Sequence, residues 1–378
     1  LSAGHRIVLT GGGTGGHIYP ALAVAEKLCR DESVEAILYC GVNGHLEERL
    51  ALARGLAFEG FVASGLPRQL SIKLLTWPGQ FMTAVKRALE ILRNFKATVV
   101  FGTGGYASAP LLMAASWLQI PFAIHEPDSH PGLVNRLFGN GAALISLGME
   151  GARQSFLGSA SRVVINGNPV SEKFLNAPSR KEACQLLDLD ASLQTVLVTG
   201  GSQGARAVNL AVFEALPELL LEQSKLQIVH QVGQANWIDM KEALPEALQN
   251  HPRYKPHAYF DNLAIPYAAC DLTVCRAGAM TIAELFITGT PAIFVPLPSA
   301  AQDHQTFNAH FVEGLGAAKL LAQKDLNGRS LAQLIRGLLE NQTDLDKMSQ
   351  AMRSMARPDA AERISAQLRE LSGRKLGN

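Results

Sequence analysis

Two stretches of this chain, Thr10–Leu28 (TGGGTGGHIYPALAVAEKL) and Val198–Asn209 (VTGGSQGARAVN), share one design about 190 residues apart. Each follows a short apolar β-type run, Arg6–Thr10 or Thr195–Thr199, and each opens a helical pattern. A glycine loop at a helix N-terminus presents main-chain N–H groups and a partial positive charge, which suits phosphate. Strand, glycine loop and helix written twice therefore predict two nucleotide-type α/β halves facing one cleft, with His17 in the first loop.

Further strand-like runs occur at Ala36–Cys40, Thr98–Phe101, Phe122–His125 and Ala143–Ser146, then at Gln227–Gln231, Leu272–Cys275 and Ala292–Val295. They are continuous and apolar rather than alternating, as parallel strands covered on both faces are. Alternation of β and α along the chain predicts doubly wound sheets. A length of 378 residues with 47% apolar content suffices for two cores. The domain change is placed at Gly167-Asn168-Pro169, giving domains 1–167 and 168–357. After Pro358, Asp359–Leu371 reads as a helix with Ile364, Leu368 and Leu371 on one face, and 358–378 is expected to pack back on the first domain.

Composition narrows the function classes. A net charge of +1 gives no sign of nucleic-acid binding. The five cysteines are odd in number and scattered with no CxxC pair, which fits a reducing cytosol and no zinc knuckle. Cys275 reads as a small buried residue ending a strand. Leu1–His5 is too short and polar for a signal peptide, and Ala109–Ile124 is interrupted by Pro110, Ser116, Gln119 and Pro121. Membrane association is expected to be peripheral.

In doubly wound sheets ligands bind beyond the carboxyl ends of the strands. The polar and glycine-rich segments sit there repeatedly: GGGTGGH, GTGGYAS (102–108), HEPD (125–128), GGSQG (200–204), CRAGAMT (275–281) and VPLPSAAQDHQ (295–305). Gly11-x-Gly13-x-x-Gly16 formally matches the dinucleotide fingerprint, but the second strand ends Cys40-Gly41-Val42-Asn43 without the ribose-binding carboxylate, so neither NAD nor FAD is expected. GGSQGA offers close backbone approach, the Ser202 hydroxyl and a helix start, which is diphosphate chemistry. Gly278 turns the chain and Ala279, Met280 and Thr281 present N–H groups at another helix start. Glu284, one and a half turns on, is placed to accept from vicinal ribose hydroxyls, or is simply a solvated helix carboxylate. His17 reads as a general base, a phosphate ligand or a cap. His125-Glu126 reads as a second acid/base pair, or Glu126 as a loop tie. Asp188-x-Asp190 and Asp344-x-Asp346 imitate a metal-binding DxD, but neither follows a strand and both read as exposed turn or helix positions. No metal or cofactor is expected.

Leu66–Lys96 carries Arg68, Lys73, Lys86, Arg87, Arg93 and Lys96 against the single acid Glu90. From Phe81 the spacing Phe81, Val85, Leu89, Leu92 is a core-facing helix stripe. Before it, Leu70, Ile72, Leu74, Leu75 and Trp77 have no period that buries them all. Beside the lysine they read as an interfacial patch, or else as a covered loop.

Taken together, GGTGGHIYPALAVAEKL (12–28), GTGGYASAP (102–110), HEPDSHPGLVNR (125–136), GNPV (167–170), GGSQGAR (200–206), CRAGAMTIAE (275–284) and DHQTFNA (303–309) resemble the MurG family of UDP-N-acetylglucosamine transferases. These peptidoglycan enzymes have the two-Rossmann GT-B fold and act on the membrane intermediate lipid I. The resemblance spans nearly the whole chain. It implies an inverting transfer of N-acetylglucosamine from UDP-GlcNAc to lipid I, giving lipid II for cell-wall biogenesis, cell shape and division. It further implies that Ser202 and the loop amides touch the diphosphate, the main chain around Phe260 reads uracil, Glu284 holds the ribose and Gln305 contacts the sugar near Ala279–Thr281. Thr14, Gly15, Gly16 and His17 close on diphosphate and acceptor, with His17 first and Glu126 second as the base; Tyr106, Asp128, Gln203, Gly204 and His304 complete the binding set. Implied partners are UDP-GlcNAc, lipid I, an anionic membrane surface and other cell-wall enzymes, at the cytoplasmic face of the bacterial cell membrane. Two departures stand out: the family's HEQN is HEPD here, placing Asp128 where an amide contacts the sugar, and Ser171 follows GNPV where an Arg is common. A UDP-GlcNAc 2-epimerase or hydrolase on a similar scaffold would need no basic apolar patch. A non-enzymatic sugar-nucleotide-binding membrane subunit would need only one complete half.

Overall fold

The computed structural model describes residues 4–65, 72–159, 161–201, 203–221, 225–238, 243–298, 300 and 303–373. The chain divides into two compact units, Leu1–Ser171 with Arg357–Asn378, and Glu172–Ala356.

The first unit holds seven parallel strands: β1 (His5–Thr10), β2 (Val34–Val42), β3 (Ala57–Phe61), β4 (Val99–Gly102), β5 (Phe122–Glu126), β6 (Leu144–Leu147) and β7 (Arg162–Ile165). They lie in the order β3-β2-β1-β4-β5-β6-β7. The central strands are apolar because both faces are covered. On one face α1 (Gly15–Leu28) and the C-terminal helix Ala360–Gly373 bury Ile18, Leu22, Ile364, Leu368 and Leu371 against Ile7, Leu9 and Phe101. On the other face α3 (Ile72–Phe95) and α4 (Ala109–Trp117) bury Ala84, Ala88, Leu92, Leu111 and Leu112 against Val8, Val100 and Ile124. Between them α2 (Leu46–Leu52) follows β2, and α5 (Leu133–Phe138) follows β5. Burying each large side chain of the C-terminal helix contributes about 1.5–3 kcal/mol, which is ample to dock this helix on the unit.

The second unit repeats the plan with six parallel strands: β8 (Gln194–Thr199), β9 (Leu226–Gln231), β10 (Tyr254–His257), β11 (Leu272–Cys275), β12 (Ala292–Phe294) and β13 (Ala318–Leu320). Their order is β10-β9-β8-β11-β12-β13. Helix α6 (Arg206–Leu221) packs with the helix Gly328–Leu339 over β8, where Val208, Val212, Leu216, Leu331 and Ile335 meet Val196 and Val198. Helices α7 (Ala279–Thr288) and α8 (His304–Gly314) follow β11 and β12. Cys275 is fully buried at the end of β11.

One expectation is corrected. Trp77 and its neighbours lie in the first turns of α3, not in a loop, and Pro78 lies inside that helix. Trp77 stacks on Phe81 one turn later, with ring centroids 5.1 Å apart, and its indole N–H donates to the Ser64 carbonyl at 3.0 Å. Leu75 is 83% exposed on this part of the helix, so it adds nothing to the buried stripe that marks the helix from Phe81 onward. Leu70 and Arg68, and the side chains of Ile72, Lys73 and Leu74, lie outside the described residues. Among the described residues no helix is long and apolar enough to cross a membrane.

Candidate active site

Each sheet has one point where the strand order reverses, between β1 and β4 in the first and between β8 and β11 in the second. Loops leaving such a pair diverge to opposite faces and open a crevice. The four glycine loops are the ones that follow these four strands: 11–16, 103–108, 200–205 and 276–278.

In the first unit, Thr14 caps α1, and Gly15, Gly16 and His17 form its first turn. The His17 Nδ1–H donates to the Thr103 carbonyl at 3.0 Å, which makes Nε2 the basic nitrogen of the neutral ring. The Thr103 hydroxyl donates back to the His17 carbonyl, so the two loops are laced together. Gly104 (φ +97°) lies flat against the imidazole; a Cβ there would sit 2.9 Å from His17 Nδ1 and 3.3 Å from Asn135 Nδ2. The half-buried Tyr106 places its ring beside Gly13 and its hydroxyl 3.4 Å from His45 Nδ1.

Glu126 ends β5, fully buried. One oxygen accepts the Asp128 N–H at 2.9 Å; the other accepts the Gly132 N–H and Asn135 Nδ2, both at 2.9 Å. Burial, then the nearby Asp128, push its carboxyl up to about 8, against the pull of these three donors. With both oxygens taken, the hydrogen bonds favour the loop tie over an acid/base pair. His125 is likewise fully enclosed between Ser146 (3.0 Å) and Asn168 (2.9 Å), and burial lowers it to about 4, so it is a neutral core histidine. Asp128 is half-buried on the loop that Glu126 holds.

In the second unit a cavity of about 560 Å³ opens at the switch point, walled by Gly200, Gly201, Gln203, Gly204, Arg206, Arg276, Thr281, Leu297, Gln305 and Gln323 among others. Gly204 (φ +76°) passes so close to the next loop that a Cβ would lie 2.1 Å from the Val232 carbonyl oxygen. Gln203, Gly204, Thr281 and Gln305 are thus brought together. Ser202 lies outside the described residues. Ala279 and Met280 begin α7, where no intrahelical carbonyl serves the first N–H groups. Phe260, Met280, Glu284 and His304 lie off the walls of this cavity. Glu284 sits deep enough on α7 for burial to push its carboxyl up to about 8. His304 opens α8, and Gln305 accepts the Leu297 N–H at 2.9 Å through its side-chain oxygen, leaving its NH₂ to donate.

Three residues given no role by sequence reasoning organise this half. Gln231, fully buried at the end of β9, donates to Thr199 Oγ1 (3.2 Å) and the Gly201 carbonyl (3.1 Å) and accepts the Phe260 N–H (3.0 Å). It ties Phe260 to the glycine loop and commits that N–H, so a main-chain contact from Phe260 itself must use its carbonyl. Arg276 donates to the Val295 and Pro296 carbonyls and to Gln323 Oε1 (2.7 Å), which keeps a cation on the cavity wall. Asn308 donates to the Ala277 carbonyl at 3.1 Å, fixing α8 to the β11 loop.

The DxD imitations are exposed: Asp188 pairs with Lys255 at 2.6 Å, Asp190 accepts from Ser192, and Asp344 lies in the first turn of a helix capped by Asn341. Among the described residues no group of three or more His, Cys, Asp or Glu could hold a metal ion.

Residues 7–145 match the glycosyltransferase family 28 N-terminal domain and residues 195–364 the glycosyltransferase family 28 C-terminal domain. The UDP-N-acetylglucosamine--N-acetylmuramyl-(pentapeptide) pyrophosphoryl-undecaprenol N-acetylglucosamine transferase of Halothermothrix orenii is 39% identical over 357 residues, 93% of this chain and 95% of that one. The crystal structure of Acinetobacter baumannii MurG aligns with a TM-score of 0.78 at 28% identity, over 97% of this chain and 100% of that one. A UDP-GlcNAc 2-epimerase from Neisseria meningitidis, bound to UDP-GlcNAc, reaches a TM-score of 0.67 over 96% of this chain and 100% of that one, but at 13% identity, which shows the shared fold alone. By its likeness to these transferases over nearly its whole length, the chain belongs to the MurG family within glycosyltransferase family 28.

Proposed function

We propose that the chain transfers N-acetylglucosamine from UDP-GlcNAc to lipid I, the undecaprenyl-linked muramyl pentapeptide, to give lipid II in peptidoglycan synthesis. The observation that carries this reading is 39% identity across 93% of the chain to a transferase named for that reaction. Glycine loops at both switch points give it a physical basis.

In this mechanism the acceptor hydroxyl attacks the anomeric carbon from the face opposite UDP, so an α-linked donor yields a β-glycoside. His17 Nε2 takes the hydroxyl proton, with Nδ1–H held by Thr103 so that the imidazolium formed is oriented and stabilised. Negative charge grows on the departing diphosphate and is received by the amides of the 200–204 loop and of the α7 start, with Ser202, Gln203, Gly204, Ala279, Met280 and Thr281 as the contacts. Arg276 adds positive charge on the same wall. Glu284 takes the ribose hydroxyls, the Phe260 main chain the uracil, and Gln305 and His304 the sugar. Thr14, Gly15, Gly16, Tyr106 and Asp128 act on the acceptor and diphosphate side, while Glu126 holds the loop that carries Asp128.

The enzyme works at the cytoplasmic face of the cell membrane, on an anionic surface, because a polyprenyl-linked acceptor stays in the bilayer. Exposed Leu75 and Met82 lie seven residues apart on α3 and share a face with Lys86, which supports membrane contact by this helix. Exposed Trp117 on α4 and Leu137 on α5 add apolar surface to the same unit.

The test is to incubate purified protein with labelled UDP-GlcNAc, with and without a short-chain lipid I analogue. The expected product is a β-linked disaccharide formed only with the acceptor. Appearance of the 2-epimer or of free sugar without acceptor would overturn the reading in favour of an epimerase or hydrolase.

A further inference from the structure

We propose that the C-terminal helix fixes the Pro127–Gly132 loop through a buried hydrogen-bond chain, which makes Gln367 and His125 positioning residues for the transfer. The inference rests on the transferase reading and adds to it a control point at the far end of the sequence.

Gln367 and Asn166 exchange two amide hydrogen bonds, Asn166 Nδ2 to Gln367 Oε1 at 2.8 Å and Gln367 Nε2 to Asn166 Oδ1 at 3.3 Å. Asn166 Nδ2 also donates to Ser146 Oγ at 2.9 Å. Ser146 Oγ lies 3.0 Å from His125 Nδ1, His125 Nε2 lies 2.9 Å from Asn168 Oδ1, and Asn168 Nδ2 donates to the Pro127 carbonyl at 2.9 Å. Asn166, Ser146 and His125 are fully buried and Asn168 nearly so. In such a place each polar atom must be satisfied, and each orientation constrains the next.

The direction of the chain follows from counting hydrogens. The Asn166 amide spends its hydrogens on Gln367 and Ser146. Asn168 Oδ1 can only accept, so His125 carries its hydrogen on Nε2 and, being neutral, accepts the Ser146 hydroxyl at Nδ1. The Asn168 NH₂ is then turned toward Pro127. An apolar side chain in place of Gln367 deletes both amide bonds that hold Asn166, so the donor behind Ser146 Oγ is less firmly fixed and the links that follow it loosen. Pro127 follows Glu126, whose carboxylate holds the Asp128 and Gly132 N–H groups. Asn135, bonded to Glu126 and to the His125 carbonyl, packs against the Gly104 that supports His17. The chain thus runs from the C-terminal helix to the neighbourhood of the proposed base.

The experiment combines kinetics with amide hydrogen exchange on the full-length enzyme. Gln367→Met keeps the shape of a half-buried side chain and deletes both amide bonds. It should speed exchange of the Asp128 and Gly132 amides about fivefold, leave the β1 amides unchanged, lower kcat about three- to tenfold and leave KM for UDP-GlcNAc within about twofold. His125→Leu should cost about a hundredfold in kcat, and His125→Gln, which keeps a donor toward Asn168, should regain most of it. Unchanged exchange at Asp128 and Gly132 in both Gln367→Met and His125→Leu overturns the proposal, as does faster exchange with wild-type kinetics. If His125→Leu does not fold, Gln367→Met decides alone. Wild-type protein that transfers nothing to a lipid I analogue defeats the transferase reading instead, and exchange still reports whether the chain sets the loop.

Discussion

The two switch points are built on one plan and furnished for different work. In the first unit, loops after β1, β4 and β5 close around an imidazole, and the nearby polar side chains are spent on local main chain and on one another: His17 on the Thr103 carbonyl, Glu126 on its loop, His125 on Ser146 and Asn168. In the second, the loops leave about 560 Å³ open and wall it with main chain, glutamines and arginines. A tightly braced imidazole suits a group that must hold a proton at one place; an open wall of amides suits a ligand whose charge is spread over a diphosphate. The strand order supplies the crevice in both, and the side chains divide the labour.

The largest break in that division comes from His17→Ala. Removing a general base lowers kcat by about 10²–10⁴, while UDP, which the proposal assigns to the second unit, should bind as before. Stopped-flow or quenched-flow transfer and calorimetric UDP titration read the two quantities separately. Collapse of UDP affinity would instead make His17 a phosphate ligand, and the two units would no longer differ in kind.

Next comes the binding half. Glu284→Ala should weaken UDP by about 1.5–3 kcal/mol, the usual worth of a charged hydrogen bond, and weaken a deoxyribose analogue much less. Isothermal titration of both ligands checks it. Equal losses would take Glu284 out of the ribose role, an outcome its place off the cavity walls makes worth testing first.

A smaller effect sharpens the contrast from the outside. The first unit carries the exposed apolar face of α3, and full burial of such a side chain gives about 1.5–3 kcal/mol. Leu75→Ser with Met82→Ser should cut sedimentation with anionic vesicles about tenfold, half-burial being the realistic case, and spare turnover of a short-chain acceptor. Undiminished sedimentation would move the membrane surface elsewhere.

How much of this could be read in the sequence depended on burial. All nine expected strands form, and they are the interior ones of their sheets, where continuous apolar runs carry the signal. The four not foreseen, β3, β7, β10 and β13, are the four sheet edges. AFEGF, RVVI, YKPH and AKL are short, half-exposed and partly charged, so they have neither the continuous run nor a clean alternation. The site divides in the same way. Glycine loops were legible because their backbone demands are local. Gln231, Asn166 and Gln367 act across 29 to 201 residues of sequence, and nothing near them in the chain announces a partner.

Two carboxyls, Glu126 fully buried in the first unit and Glu284 half-buried in the second, give the finest test. Glu126 and Glu284 are both pushed up to about 8 from an ordinary 4.5, chiefly by burial. A carboxyl whose folded value is raised holds an extra proton in the folded state between those two values. Stability therefore falls as pH rises through that window, because the unfolded chain ionises first. Glutamine cannot ionise, so Glu284→Gln in ligand-free protein should match wild type near pH 5 and exceed it near pH 8. A tenfold difference in proton affinity between folded and unfolded chain corresponds to about 1.4 kcal/mol, and the partial exposure of Glu284 holds the gain to about 1 kcal/mol. Glu126→Gln should behave otherwise. N–H groups face both of its oxygens; the hydroxyl of the protonated acid keeps a lone pair for such a donor, whereas a glutamine NH₂ has none and confronts one of them whichever way it turns. That variant should be destabilised at pH 5, with the deficit narrowing toward pH 8. Urea midpoints at the two pH values measure all of this. If both variants gain stability alike, Glu126 is not the tie that holds its loop, and the first unit is less tightly braced than its hydrogen bonds imply.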